Sequence, residues 1–159
     1  MVAEPAVQSP LPPPLVRLSA LFLAVGLLVL GNGLSGTLLG VRATLEGMDS
    51  LVIGAVMAAY FVGFVLGSCC APGLIDSVGH IRSFAVLASI SSAFAIVYAI
   101  FVWPEAWFFI RFVYGACYAG LVVVIESWLN ASTARSERGQ VLAIYNIVLV
   151  AAWVASRVR

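Results

Sequence analysis

The sequence predicts an all-α, polytopic membrane protein of about five transmembrane helices. Composition, five long apolar runs and the short polar stretches between them carry that prediction. Of 159 residues, 63% are hydrophobic and 9% are charged, and the mean hydropathy is +1.11. Soluble domains run near 25% charged. Few other classes of chain tolerate so little charge. The net charge of +1 excludes a generic polyanion binder, so no nucleic-acid partner is expected. All basic residues are Arg and none is Lys.

Residues 1–16 hold Pro5, Pro10, Pro12, Pro13 and Pro14, and read as a disordered, Pro-rich cytoplasmic tail. The tail lacks a basic n-region, so it is not expected to be a cleaved signal peptide. Residues 17–159 then form the helical bundle. Its apolar segments run from Val16 to Leu39, Leu51 to Ala71, Ser83 to Val102, Trp107 to Leu129 and Val141 to Ala155. Backbone polar groups must be satisfied inside lipid, so each run should be a helix. The connections are Gly40 to Ser50, Pro72 to Arg82, Trp103 to Ala106 and Asn130 to Gln140. Trp103, Trp107 and Trp128 fall at span ends, where aromatic belts form.

Arginine counts in the loops set the orientation. With the N-terminus in the cytoplasm, the inner side carries Arg17, Arg82, Arg135 and Arg138, and the outer loops carry Arg42. Arg157 and Arg159 then break the rule, and the fifth run is short. Both features lead us to expect that the chain stops before the natural end of the fold. Gly36 and Gly40, and Gly63 and Gly67, are spaced four apart, which lets helices approach closely in lipid.

Two charges lie inside the fourth run: Arg111 and Glu126. A charge at membrane depth marks a functional site by default. Fifteen residues put them roughly 60° apart around a helix and about 22 Å apart along it. They cannot pair with each other, so each needs a partner elsewhere. No metal spacing, nucleophile–base pair or phosphate-cradling loop occurs. The expectation is therefore a non-enzymatic chain without a cofactor. Cys69, Cys70 and Cys117 read as small packing residues, and His80 as a solvated or interface histidine.

The connection Pro72-Gly-Leu-Ile-Asp76-Ser-Val-Gly79-His-Ile-Arg82 resembles the major facilitator superfamily signature G-x-L-x-D-R-x-G-R-R between helices two and three. Leu74, Asp76 and Gly79 match, and Arg82 lies at or next to the final basic position; Pro72, Ser77 and Ile81 depart from it. Arg111-Phe-Val-Tyr-Gly115 is similar to the R-x-x-x-G pattern of that superfamily's helix four. Glu126-Ser-Trp-Leu-Asn130 and Glu137-Arg138-Gly139-Gln140 resemble a little-characterised bacterial branch of it. The resemblance implies a secondary carrier of twelve helices in two six-helix halves, with substrate held between the halves and alternating access. This chain would supply most of the N-terminal half in a bacterial inner membrane. Its partners would be a small-molecule solute, H+ or Na+ as a coupling ion, the lipid bilayer and the missing C-terminal half. The chain alone is not expected to transport. The alternative is a small membrane scaffold or assembly subunit without transport activity.

The substrate-cavity candidates are Asn32, Arg111, Tyr145 and Asn146. Arg111 either faces the cavity, binding an anionic group or a coupling carboxylate, or snorkels to the interface. Asn32, Tyr145 and Asn146 either line the cavity or make interhelical hydrogen bonds. Tyr60, Tyr114 and Tyr118 read as packing residues. The gate and loop candidates are Asp76, Gly79, Arg82, Glu126, Arg138 and Gly139. Glu126 is read as an ion-pair gate with Arg82 or Arg138, as a protonatable carboxylate, or as a static charge. Asp76 is read either as a brace against a helix start in the second half or as a turn residue.

Overall fold

The computed structural model describes residues 18–157, which fold into five helices: α1 (Ser19–Leu45), α2 (Ser50–Val78), α3 (His80–Ile100), α4 (Pro104–Ser132) and α5 (Arg138–Ala155). All five are long and apolar enough to cross a membrane. The tail at 1–16, Arg17 and Arg159 lie outside the described residues.

Most helix ends outrun their apolar runs, because hydropathy marks the lipid-facing length and backbone hydrogen bonding continues past it; α3 instead stops at Ile100, short of Val102. The expected loop from Pro72 to Arg82 is in fact helix apart from one residue. α2 carries Pro72 internally and continues to Val78; Gly79 alone separates it from α3. At φ +83° and ψ 165°, Gly79 occupies a region that essentially only glycine enters. It closes α2 through its N–H to Ile75 O (2.8 Å). Its carbonyl opens α3, accepting from Ser83 N–H (3.1 Å) and Ser83 Oγ (2.8 Å). α1 likewise continues to Leu45 instead of ending at Leu39, with Arg42 and Glu46 paired at 3.6 Å and Gly47 turning the chain at φ +72°. Pro104 starts α4 at a position where its missing N–H is harmless.

Close approaches between helices give their directions. A Cβ placed on Gly63 would strike the backbone of Phe112, and one on Gly67 the backbone of Ala116. The paired numbers rise together, so α2 and α4 run parallel. Gly115 returns the contact against the backbone of Tyr60. Gly26 meets Val148 and Gly33 meets Ser156, so α1 and α5 are also parallel. His80 meets Ser127 and Gly120 meets Leu87, so α3 and α4 are antiparallel. The chain therefore alternates direction at every turn, as five successive crossings require.

α4 is the centre. In its most apolar 18-residue stretch 61% is buried within the protein, against 22% or less for each other helix. Ile125 and Leu129 of α4 pack on Phe22 and Val25 of α1 and on Val141 and Tyr145 of α5. Towards the start of α4, Trp107 packs with Leu39, Ala43 and Val56. Trp107 is fully buried and its Nε1–H donates to Phe101 O, so it is core and not part of an aromatic belt. Trp103, 67% exposed, keeps the expected surface position.

Candidate functional site

A cavity of about 430 Å³ opens where α1, α2, α4 and the end of α5 converge. Asn32, Gly33, Gly36 and Thr37 line it from α1, and Met57, Tyr60 and Phe61 from α2. Arg111 enters from α4, and Trp153 and Arg157 from α5 and the turn after it. The Gly63–Gly67 contact positions Arg111, because it presses α2 against α4 one turn beyond the guanidinium.

Arg111 is 5% exposed, so it does not snorkel to an interface in this fold. Its contacts are soft. Nη2 donates to Met57 Sδ at 3.6 Å, and the guanidinium lies 5.1 Å from the centre of the Tyr60 ring. Nε and Nη1 are buried without a hydrogen-bond partner. The Tyr98 hydroxyl adjoins the guanidinium, near enough to interact with it but outside hydrogen-bond geometry. Room for the guanidinium comes from Gly36: a Cβ there would lie 3.2 Å from Nη2. A buried charge with open donors is costly unless something pairs with it.

Asn32 and Arg111 are thus brought together. Asn32 also borders a second cavity of about 360 Å³, shared with Ser35, Ser91, Ser92 and Tyr114. Tyr145 and Asn146 are not brought to the Arg111 cavity. Tyr145 is buried in the α1–α4–α5 core, and its hydroxyl donates to Glu126 Oε1 at 3.3 Å. The Asn146 amide donates to Leu142 O at 2.9 Å, one turn back on its own helix. Both lie on the wrong stretch of α5, since the part that meets the cavity is Trp153 to Arg157.

The gate candidates lie at the opposite end of α4. Gly79 and Arg82 line a recess of about 350 Å³ with His80 and Trp128, and His80 Nε2 is 3.0 Å from Ser127 Oγ. Asp76 is exposed in the last turn of α2. Glu126 turns to Tyr145, and no ion pair within 4.0 Å joins it to Arg82 or Arg138. Arg138 instead donates to Asn130 O at 3.1 Å, closing the turn between α4 and α5, and Gly139 opens α5 in free space.

Reading the sequence missed Met57, Tyr60, Trp153 and Arg157 as cavity residues. Tyr60 resembled ordinary packing, and Arg157 was noticed for its charge alone. Helical spacing could have placed Met57 and Tyr60 on one face, but not opposite Arg111.

The geometry above has a family counterpart. A model described as the Major Facilitator Superfamily matches residues 21–157. The chain belongs to the Major Facilitator Superfamily. It is 32% identical over 130 residues to an uncharacterized MFS-type transporter of Enterobacter sp. (strain 638), covering 80% of this chain and 34% of that relative. It is 30% identical over 122 residues to the uncharacterized MFS-type transporter YcaD of Escherichia coli (strain K12 / DH10B), covering 77% and 32%. The chain spans about a third of the length of the curated relatives it matches. No solved structure matches it. Membership makes this a multi-pass membrane protein of the superfamily. The unusual α2–α3 turn is the place where the superfamily signature, with its substitutions at Pro72, Ser77 and Ile81, falls.

Proposed function

We propose that the chain forms the N-terminal part of a secondary carrier that moves a small solute across the bacterial inner membrane by alternating access. One observation supports this most: a buried arginine whose Nε and Nη1 have no acceptor lines a cavity between helices of a superfamily member. Four sparsely buried helices around one central helix are what a bundle facing lipid and a second half would show. In this reading Asn32 and Arg111 face the solute. Asp76, Gly79, Arg82, Glu126, Arg138 and Gly139 sit at the opposite, gating end, with Glu126 held by Tyr145 in the state described. Carriage is facilitative or coupled to H+ or Na+. The N-terminus is cytoplasmic, because Arg82, Arg135 and Arg138 lie at the end shared by the α2–α3 and α4–α5 turns, against Arg42 and Arg157 at the other.

The test is flux. Everted membrane vesicles are prepared from cells expressing the gene's full reading frame and from a deletion strain. They are compared for uptake of labelled anionic, neutral and cationic solutes. Expression-dependent, saturable uptake of a solute is expected. Equal uptake by both vesicle sets across all three classes contradicts the carrier.

A further inference from the structure

We propose that the Arg111 cavity binds an organic anion, with its carboxylate between Arg111 and Arg157 and its apolar body against Met57, Tyr60, Phe61 and Trp153. This deepens the carrier reading and rests on it for the use of the site, although not for binding itself.

Arg111 is 95% buried in effect, being 5% exposed, yet Nε and Nη1 have no acceptor. A thioether sulfur, a ring face and the Tyr98 hydroxyl, which lies outside hydrogen-bond geometry, leave Nε and Nη1 open, and the planar fork of a guanidinium matches a carboxylate. The same cavity holds a second cation. Arg157 lies 4.7 Å from the centre of the Trp153 ring, which braces it at the rim. None of the described lining residues is acidic, so the two positive charges are not offset within the cavity. The remaining wall is aromatic and thioether surface, suited to an apolar body. A cavity of this size fits a small ligand. A carboxylate from protein outside these residues could occupy the same donors, and the experiment separates that case.

The 159-residue chain is placed in phosphatidylcholine nanodiscs. Binding of radiolabelled benzoate and of hexanoate is measured by equilibrium dialysis, with empty nanodiscs as the blank. Saturable binding is expected, displaced by the unlabelled acid but not by benzyl alcohol or benzylamine. Arg111→Gln should weaken it about 10- to 100-fold, the span of a charged hydrogen bond, and Arg157→Gln by less. Arg111→Lys should recover only part, since an ammonium offers no fork. The ligand comparison uses the unaltered chain, so a poorly folding variant leaves the test standing. No saturable binding of either acid, or equal displacement by the alcohol, overturns the proposal. Saturable binding that Arg111→Gln leaves unchanged overturns it as well. If the acids bind the 159 residues but not the product of the gene's full reading frame, a carboxylate from outside these residues fills the site, and the proposal falls. The two readings fail separately. Benzoate binding with no expression-dependent flux removes the carrier alone. Flux of a neutral solute with no anion binding removes the anion site alone.

Discussion

Arg111 shows how a single residue's environment turns a charge into a site. Its cost of burial is offset by Tyr60 and Met57 only in part, and Gly36 supplies the space it fills. The sequence marked it as a candidate site but left it either facing the cavity or snorkelling to the interface, and its burial decides for the first. Its neighbours were not legible, because they depend on which faces of α1, α2 and α5 meet α4. Trp107 makes the opposite point. Its position at a span end suggested a belt, but Leu39, Ala43 and Val56 enclose it completely. Trp107→Ala should therefore destabilise the bundle by about 3–5 kcal/mol, the range for deleting a buried aromatic. Denaturation in mixed micelles of detergent and sodium dodecyl sulfate measures it. A change near zero would mean that the ring faces lipid.

At the scale of helices, the fold depends on one close contact. Gly63 and Gly67 of α2 meet the backbone at Phe112 and Ala116, and Gly115 answers from α4. Gly63→Ala should cost about 1–3 kcal/mol, as overpacking does in a tight interface. Gly54→Ala, in the same helix with nothing within 4 Å, should be neutral or slightly stabilising. Equal effects of the two substitutions in the same unfolding assay would contradict the α2–α4 packing. The small-residue spacing was readable in advance, but not its partner helix. The five helices were readable too, whereas their ends were not. Loss of hydropathy after Ala71 suggested a loop, yet Pro72 to Val78 remains helical and Gly79 alone makes the turn. Gly79→Ala should strain that turn by about 1–3 kcal/mol, since its backbone angles are all but closed to other residues.

For the whole molecule, α4 is enclosed and its neighbours are largely bare, so the described residues have faces that lipid or further protein must cover. The cavity is bounded on one side by Phe61 and Trp153, which are 65% and 53% exposed. Liposomes holding only the 159 residues should consequently show no solute flux above protein-free liposomes. Orientation gives a second expectation. In a variant lacking Cys69, Cys70 and Cys117, an impermeant maleimide should label Glu46→Cys in spheroplasts. Ser136→Cys should react only after permeabilisation. The reverse pattern would invert the topology and move Arg111 to the cytoplasmic side. The superfamily was legible from the order of the α2–α3 turn, Arg111 and the Arg138–Gly139 start of α5. The cavity was not, because it is made of residues from four separate helices.

The most direct measurement is saturable uptake of an organic anion by everted vesicles carrying the full reading-frame product, compared with Arg111→Gln at matched membrane levels. The expected result is expression-dependent uptake whose kcat/KM falls at least about tenfold in the variant, the smallest loss expected for a charged hydrogen bond. Uptake that is unchanged by Arg111→Gln, or no expression-dependent uptake at all, would contradict a carrier that holds its solute on Arg111.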